Sequence, residues 1–453
     1  MNAALLEVRP ASPDIAFDPS ADELLERARG EFVQHLDEAR ARVAGKRELL
    51  HQYDVAGMNR AVAVCHWGRS GSLLLASYLD GHPDVVMLPH GTSENIYPFL
   101  LEYGSRSLWE KLIAYPVYSA VRTGVFGDLF LKNNPEGDFA IDPTDYYAAV
   151  LALFELFGAR PAEWLGTRAR FFQMLHVAYS LALGRRLANP RPLMVYAQHW
   201  CDQRLADYFI EDFPDGKFIH TIRDPISALD SWFEWKVGSE TYRKSSGEKS
   251  LQFIDAAVGA STDLLARGWD CGHRGMQSRS RAIRFEDMHI APEAMLRRLA
   301  EWVGIGFMPC LLESTWNGRP YTVTVRGRTW CGPNPANARR RSTNLGVTDR
   351  MIVFALEQEH FVSWGYPFPK VFRHRWARAA ILSLLWLIPM RTEIRNARLV
   401  LQWQSVPSLR RGRIRFALRA PIFLAQSRLR MMRLLASQWR LRRRVRCPLL
   451  EVL

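Results

Sequence analysis

"VCHWGRSGSLLLASYLDGHPDVVML", residues 64–88, is the stretch on which the fold turns. The apolar run Ala61–Cys65 feeds Gly-Arg-Ser-Gly-Ser, and a helical pattern follows at once. Strand, glycine-punctuated turn and helix is the local arrangement that aims backbone N–H groups at a phosphate. The pattern G-x-x-x-x-G-K-[ST] is absent: Arg69 precedes the second glycine, and no Lys follows it. Gly68 and Gly71 allow a backbone that can approach a ligand closely. Ser70 and Ser72 add hydroxyl donors, and Arg69 adds a permanent charge on a fork suited to oxyanions.

Outward from this unit, strand and helix patterns alternate. "GHPDVVML" gives a turn and a second short strand. "RPLMVYAQHW" (191–200) reads as a strand and "LADYFIEDFP" as the helix after it. "GKFIHTIRDPISALDSWFEW" (216–235) is again strand, turn, helix. "RSRAIRFEDM" reads as a further strand, and Pro292–Val303 as a helix with Leu296, Leu299 and Val303 on one face. The alternation predicts an α/β fold, a parallel sheet flanked by helices on both faces. Ligands then sit beyond the carboxyl ends of the strands, where the loops at 66–72, 197–201 and 223–231 should open together. The expected organisation is an N-terminal helical segment over 1–57 with a disordered start, a main domain over 58–369 and a basic amphipathic helical tail over 370–453. Residues 94–190, aromatic-rich and mostly helical in pattern, are expected as an insertion that caps the site.

A second anion-binding element is Arg223-Asp-Pro-Ile-Ser-Ala-Leu-Asp-Ser231. Arg223 ends a strand, Pro225 suits the first turn of a helix, and Ser231 lies two turns along it. Arg223 and Ser231 could therefore meet one anionic group resting above the helix start. Taken together, the two elements resemble the sulfotransferases that use 3′-phosphoadenosine 5′-phosphosulfate (PAPS). "GRSGSLLLASYLDGHPDV" is similar to that family's 5′-phosphosulfate loop, and "FPDGKFIHTIRDPISALDS" to its 3′-phosphate element. "RFEDMHIAPEAMLRRLAEWVGI" is similar to its later strand and helix.

The resemblance covers roughly residues 58–310. It implies a P-loop-like sulfotransferase fold and sulfuryl transfer to an acceptor hydroxyl or amine without a metal. It assigns the donor to Arg69, Ser70, Gly71, Ser72, Arg223 and Ser231, with Arg69 also stabilising charge on the departing phosphate. The chain departs from the family pattern in three places. Leu73 stands for a second Thr, Phe285 for a Tyr, and Ala197-Gln198 near the place of a Lys.

A hydroxyl acceptor needs a general base. The candidates are His199, at the end of the strand before the Arg223 strand, and His90, 21 residues after Arg69, with Glu94 one turn further on. His66 reads as structural. Arg326 and Arg328, or Arg339–Arg341, could close a late basic loop over the nucleotide. His199-Trp-Cys201 has no second pair to complete a metal site, so none is expected.

Charge is divided unevenly along the chain. The net charge is +14, yet residues 370–453 carry twenty Lys and Arg against Glu393 and Glu451. The first 369 residues hold 40 basic and 44 acidic groups. Interleaving of Arg with Leu, Phe, Ile and Met in the tail suits an anionic membrane surface rather than nucleic acid. Six dispersed cysteines without Cys-x-x-Cys suggest reduced thiols. There is no signal-peptide pattern, and the run Ala379–Met390 is too short to span a bilayer. The expectation is a cytoplasmic enzyme, peripheral on the inner face of a membrane, acting on a carbohydrate or lipid-linked acceptor. Two alternatives stay open: a P-loop kinase, and a membrane-surface binding protein with a degenerate nucleotide site.

Overall fold

The computed structural model describes residues 20–66, 70–123, 128–132, 139–157, 166–199, 203–238, 275–325, 328–338 and 344–385, and isolated positions 388, 390, 391, 394, 429 and 451–453. Helix α1 (Ala21–Leu50) comes first, started by a capping box in which Ser20 and Glu23 satisfy each other's backbone N–H groups. Then follow β1 (Ala61–His66), α2 (Ser72–Asp80), β2 (Val85–Met87), α3 (His90–Ser93), α4 (Ile96–Tyr103), α5 (Leu108–Thr123), α6 (Pro143–Phe157) and α7 (Arg168–Ala182). The chain re-enters the sheet as β3 (Leu193–His199), α8 (Gln203–Asp212), β4 (Lys217–Ile222) and α9 (Pro225–Gly238). After residue 275 come β5 (Ser280–Arg284), α10 (Phe285–Ile290) and α11 (Pro292–Val303). Two small hairpins, β6 (Thr315–Trp316) with β7 (Arg319–Pro320) and β8 (Thr322–Val325) with β9 (Arg328–Cys331), precede α12 (Pro335–Ala338), α13 (Val347–Leu356), α14 (Gln358–Ser363) and α15 (Arg375–Leu385).

The main sheet has the order β2-β3-β1-β4-β5, with every pair parallel. The fold is therefore α/β, with β1 at its centre. Its strands are apolar at successive positions because both faces are covered, as a parallel sheet requires. Ala61, Ala63, Cys65, Met194, Tyr196 and Phe218 face a core built with α1 and α4–α7. Val62, Val64, Val195, Ile219 and Ile283 face the second core, with α2, α10 and α11. The helices of the 94–190 region thus cover one face of the sheet. Phe32 of α1 meets Trp109 edge-on at 5.0 Å and Tyr147 at 5.3 Å, tying α1 to α5 and α6.

Two details differ from the sequence reading. The strand expected over "RSRAIRFEDM" stops at Arg284, and Phe285 already opens α10, whose first turn carries Glu286 and Asp287. Acidic side chains favour the positive end of a helix and disfavour a strand here. The free edge of β5 is also occupied. Ala282 N–H donates to Glu451 O (2.8 Å), Leu453 N–H donates to Ala282 O (2.9 Å), and Arg281 pairs with Glu451 at 3.1 Å. Of the tail, residues 386–387, 389, 392–393, 395–428 and 430–450 lie outside the described residues. No helix among the described residues is long and apolar enough to cross a membrane.

Candidate functional site

Parallel pairing brings the strand ends to one side of the sheet. His66 of β1 is in register with His199 of β3 and with Thr221 of β4, so three residues form a row where the loops begin. From the β1 end the chain turns into α2 through Gly71, whose φ of +92° lies in the left-handed region. A side chain is excluded there twice over. The conformation resists a Cβ, and a Cβ would come 2.6 Å from Phe285 Cδ2 and 2.8 Å from Met288 Cε. Leu75 N–H donates to Gly71 O (3.1 Å), which starts the helix and leaves the N–H groups before it directed out of the α2 N-terminus. Ser70 is buried and shares a 2.7 Å hydrogen bond with the Thr221 hydroxyl, pinning the loop to the end of β4. Ser72, also buried, is the first residue of α2.

On β4 the chain leaves the sheet at Arg223-Asp224-Pro225. Asp224 caps α9 by accepting from Ser227 N–H at 2.7 Å, and Pro225 is the first helical residue. Asp224 N–H in turn donates to Glu286 Oε1 (3.2 Å), and the Tyr366 hydroxyl donates to Glu286 Oε2 (2.7 Å). Burial pushes the Glu286 carboxyl above its ordinary value, against the pull of Tyr366, Asp224 N–H and the Arg223 charge. Arg223 is 8% exposed, its guanidinium 4.0 Å above the centre of the Phe285 ring. One aromatic residue thus packs on Gly71 and supports Arg223. His289 stands edge-on to the same ring at 4.4 Å. Burial, with the Arg223 charge adding to it, lowers its pKa to about 4. Neutral His289 accepts at Nδ1 from Asn334 N–H (2.9 Å). On the other flank, Asp230 accepts from Asn344 N–H at 2.8 Å, one residue before the half-buried Ser231.

The third group forms where α3 crosses the strand ends. β2 ends at Met87, so on that side β3 has no strand partner beyond Val195, and Ser93 Oγ instead accepts from Ala197 N–H at 2.9 Å. This contact seats α3 against β3 and carries His90 to the end of β1. His90 Nε2 lies 2.8 Å from His66 Nε2, and His66 Nε2 lies 2.9 Å from Glu94 Oε1. His90 to Glu94 is 3.7 Å, closing a triangle.

The profile described as "Sulfotransferase family" matches residues 62–309, more than half of the chain, and spans all three groups. The chain belongs to this sulfotransferase family. A comparison with curated proteins finds no match. Among solved structures, a sulfotransferase domain from the curacin biosynthetic pathway is 15% identical, covering 68% of this chain and 99% of that one, with a TM-score of 0.39. A sulfotransferase domain from the olefin synthase of Synechococcus PCC 7002 is 19% identical over 69% and 96%, TM-score 0.37. A sulfotransferase of Mycobacterium avium is 14% identical over 66% and 87%, TM-score 0.32. The family assignment rests on the profile match.

In this sulfotransferase, Ser70, Gly71, Ser72, Arg223 and Ser231 all belong to the loop–α2 and β4–α9 junctions at the carboxyl ends of adjacent strands. Gly68, Arg69, Cys201, Arg326 and Arg339–Arg341 lie outside the described residues, and His199 is placed by its backbone in β3. Gln198, near the place of the family's Lys, is buried with its Oε1 3.5 Å from the Tyr196 hydroxyl and from Cys65 Sγ. Leu73, in place of a second Thr, is exposed. Sequence reasoning took His66 as structural and gave no role to Thr221, Glu286, His289 or Tyr366. For His66 a signal existed: the last position of the central strand lies level with any other strand-end residue, and His90 and Glu94 have the i,i+4 spacing of one helical face.

Proposed function

We propose that this chain transfers a sulfuryl group from PAPS to a hydroxyl or amine of a carbohydrate or lipid-linked acceptor. The observation that carries the reading is the buried Arg223, held over Phe285 at the end of β4, one strand from the Gly71 turn and the α2 N-terminus. Two anion-binding elements on neighbouring strands suit a donor with two separate phosphorylated ends. An Arg fork for a ribose 3′-phosphate distinguishes it from ATP. The missing Lys after Gly71 counts against a kinase.

In the proposed reaction the acceptor oxygen attacks sulfur in line. The new S–O bond forms as the bond from sulfur to the phosphate oxygen breaks, and adenosine 3′,5′-bisphosphate leaves with the electron pair. Loop amides, Ser70, Ser72 and Arg69 would take up the charge on that oxygen. The acceptor proton passes to a base drawn from the His90–His66–Glu94 triangle, with His199 beside His66 as the second candidate.

Calorimetric titration with adenosine 3′,5′-bisphosphate, with ADP and 5′-AMP as controls, tests the donor site. The expected result is binding of the bisphosphate alone, weakened about 100-fold in Arg223→Ala as a charge-assisted contact to phosphate is lost. Preference for ADP, or equal binding by the variant, would overturn the reading.

We also place the enzyme on the cytoplasmic face of an anionic membrane. Support comes from the basic tail and from the segment Lys370–Trp376, where exposed Lys370, Arg373 and Arg375 flank the exposed Val371 and Trp376.

A further inference from the structure

The His66–His90–Glu94 triangle has a geometry that hydrogen bonding alone serves poorly. His66 Nε2 is within 2.9 Å of a carboxylate oxygen and within 2.8 Å of a second ring nitrogen. A ring nitrogen carries either one hydrogen or one lone pair in that direction, so a single position must serve both contacts. A cation at the centre would serve all three lone pairs at once.

We propose that His66, His90 and Glu94 form a site for one divalent transition ion of the Zn2+ class. Two imidazoles and a carboxylate are the donor set such an ion takes when it keeps a fourth position open. On a tetrahedral ion with bonds of about 2.0–2.1 Å, ligand atoms stand roughly 3.3 Å apart. The three separations here, 2.8, 2.9 and 3.7 Å, straddle that value, so a shift of a few tenths of an ångström seats the ion. All three atoms lie within 4.8 Å of one another. The supports differ in kind. His90 and Glu94 are one turn apart on α3 and its C-cap, which converges two ligands on one point, while His66 comes from the end of the central strand. Both histidines are buried, which shields the site from competing water.

Occupancy has a consequence that rests on the sulfotransfer reading. An ion bound at these three atoms takes up the lone pairs that would accept the acceptor's proton, so metal and catalysis exclude each other and the ion is an inhibitor. The binding itself is independent of that reading.

The test uses Co2+ as a spectroscopic probe and Zn2+ as its competitor on the intact chain. The expected result is saturable 1:1 binding of Co2+ with the intense visible absorption of a tetrahedral site, displaced by Zn2+. Binding should weaken more than about tenfold in His90→Gln and in Glu94→Gln. Glu94→Gln keeps the shape of a partly exposed side chain, and retained bisphosphate binding certifies the fold of both variants. Absence of a 1:1 site, or equal binding by both variants, overturns the proposal, because binding elsewhere, for example at the exposed Cys331 thiol, would survive these changes. Metal binding with unimpaired sulfotransfer supports the site and overturns instead the assignment of the triangle as the base.

Discussion

Gly71 concentrates the demands of the site in one residue. Its φ of +92° and the Phe285 and Met288 atoms within 3 Å of a would-be Cβ leave no room for alanine without moving the ring that supports Arg223. Gly71→Ala is expected to destabilise the fold by about 1–3 kcal/mol. It should also weaken bisphosphate binding, which calorimetry and thermal unfolding on the same sample would read together. Lost stability with unchanged affinity would show that the turn and the donor site are uncoupled. The choice of base is settled at the same scale. His90→Gln should lower turnover by about 10²–10⁴-fold, the usual contribution of a positioned base, while bisphosphate affinity stays within a few-fold. If His199→Gln shows that loss and His90→Gln does not, the base is on β3. Neither outcome could be reached from the sequence, because His66, His90 and Glu94 are 24 and 4 residues apart along the chain and meet only through the crossing of α3 over the strand ends.

Among elements, the β4–α9 junction shows how a cap serves function. Asp224 holds the first turn through Ser227 N–H while its own N–H is held by Glu286, so the helix start and Arg223 are fixed by one residue. Asp224→Ala should cost about 1 kcal/mol of stability and weaken bisphosphate binding. Asp224→Asn, which can still cap, should restore most of both. Affinity equal to wild type in Asp224→Ala would show that Phe285 alone positions Arg223. These junctions were legible in advance because their signals are local: glycines at the first turn, Asp-Pro at the second, and apolar strands running into both. The fold class followed from the same alternation of strand and helix. Less local features were not legible. The switch from β5 to α10 has no intervening Gly or Pro, only the acidic pair Glu286-Asp287, and "RFEDM" therefore read as strand. Pairing of β5 with residues 451–453 joins positions about 170 apart, and no periodicity reports such a contact. Phe285 read as a departure from a family Tyr, whereas its packing against Gly71, Arg223 and His289 needs only the ring.

Across the whole molecule, buried histidines and segregated charge set how the protein responds to its surroundings. His176, fully buried in α7 between Phe172 O (2.8 Å) and Val195 O (3.3 Å), has its pKa lowered to about 4 by burial, as does His289 at the site. In the unfolded chain each binds a proton near pH 6.5, so between those values the unfolded state holds more protons. Their contribution to stability is complete above about pH 6.5 and is lost as pH falls toward 4. For His176 the loss is about 2 kcal/mol by pH 5. Urea midpoints should fall between pH 7.5 and pH 5, and His176→Asn, though less stable at both, should narrow the difference. With twenty basic residues against two acidic ones beyond residue 369, and a slightly acidic chain before it, attraction to an anionic surface acts on one end of the molecule. Trp376, 74% exposed beside Arg375, offers the ring that settles at a lipid interface. Arg373→Glu, Arg375→Glu and Arg378→Glu together should weaken binding to phosphatidylserine-containing vesicles more than about 100-fold, at about 1 kcal/mol for each basic group near the surface. Trp376→Ala should weaken it without changing its salt dependence, because it removes buried apolar area and no charge. Bisphosphate affinity in solution should be unchanged in both variants. Equal sedimentation with neutral and anionic vesicles, or none with either, would remove the membrane from the account and leave the basic segment to a protein partner.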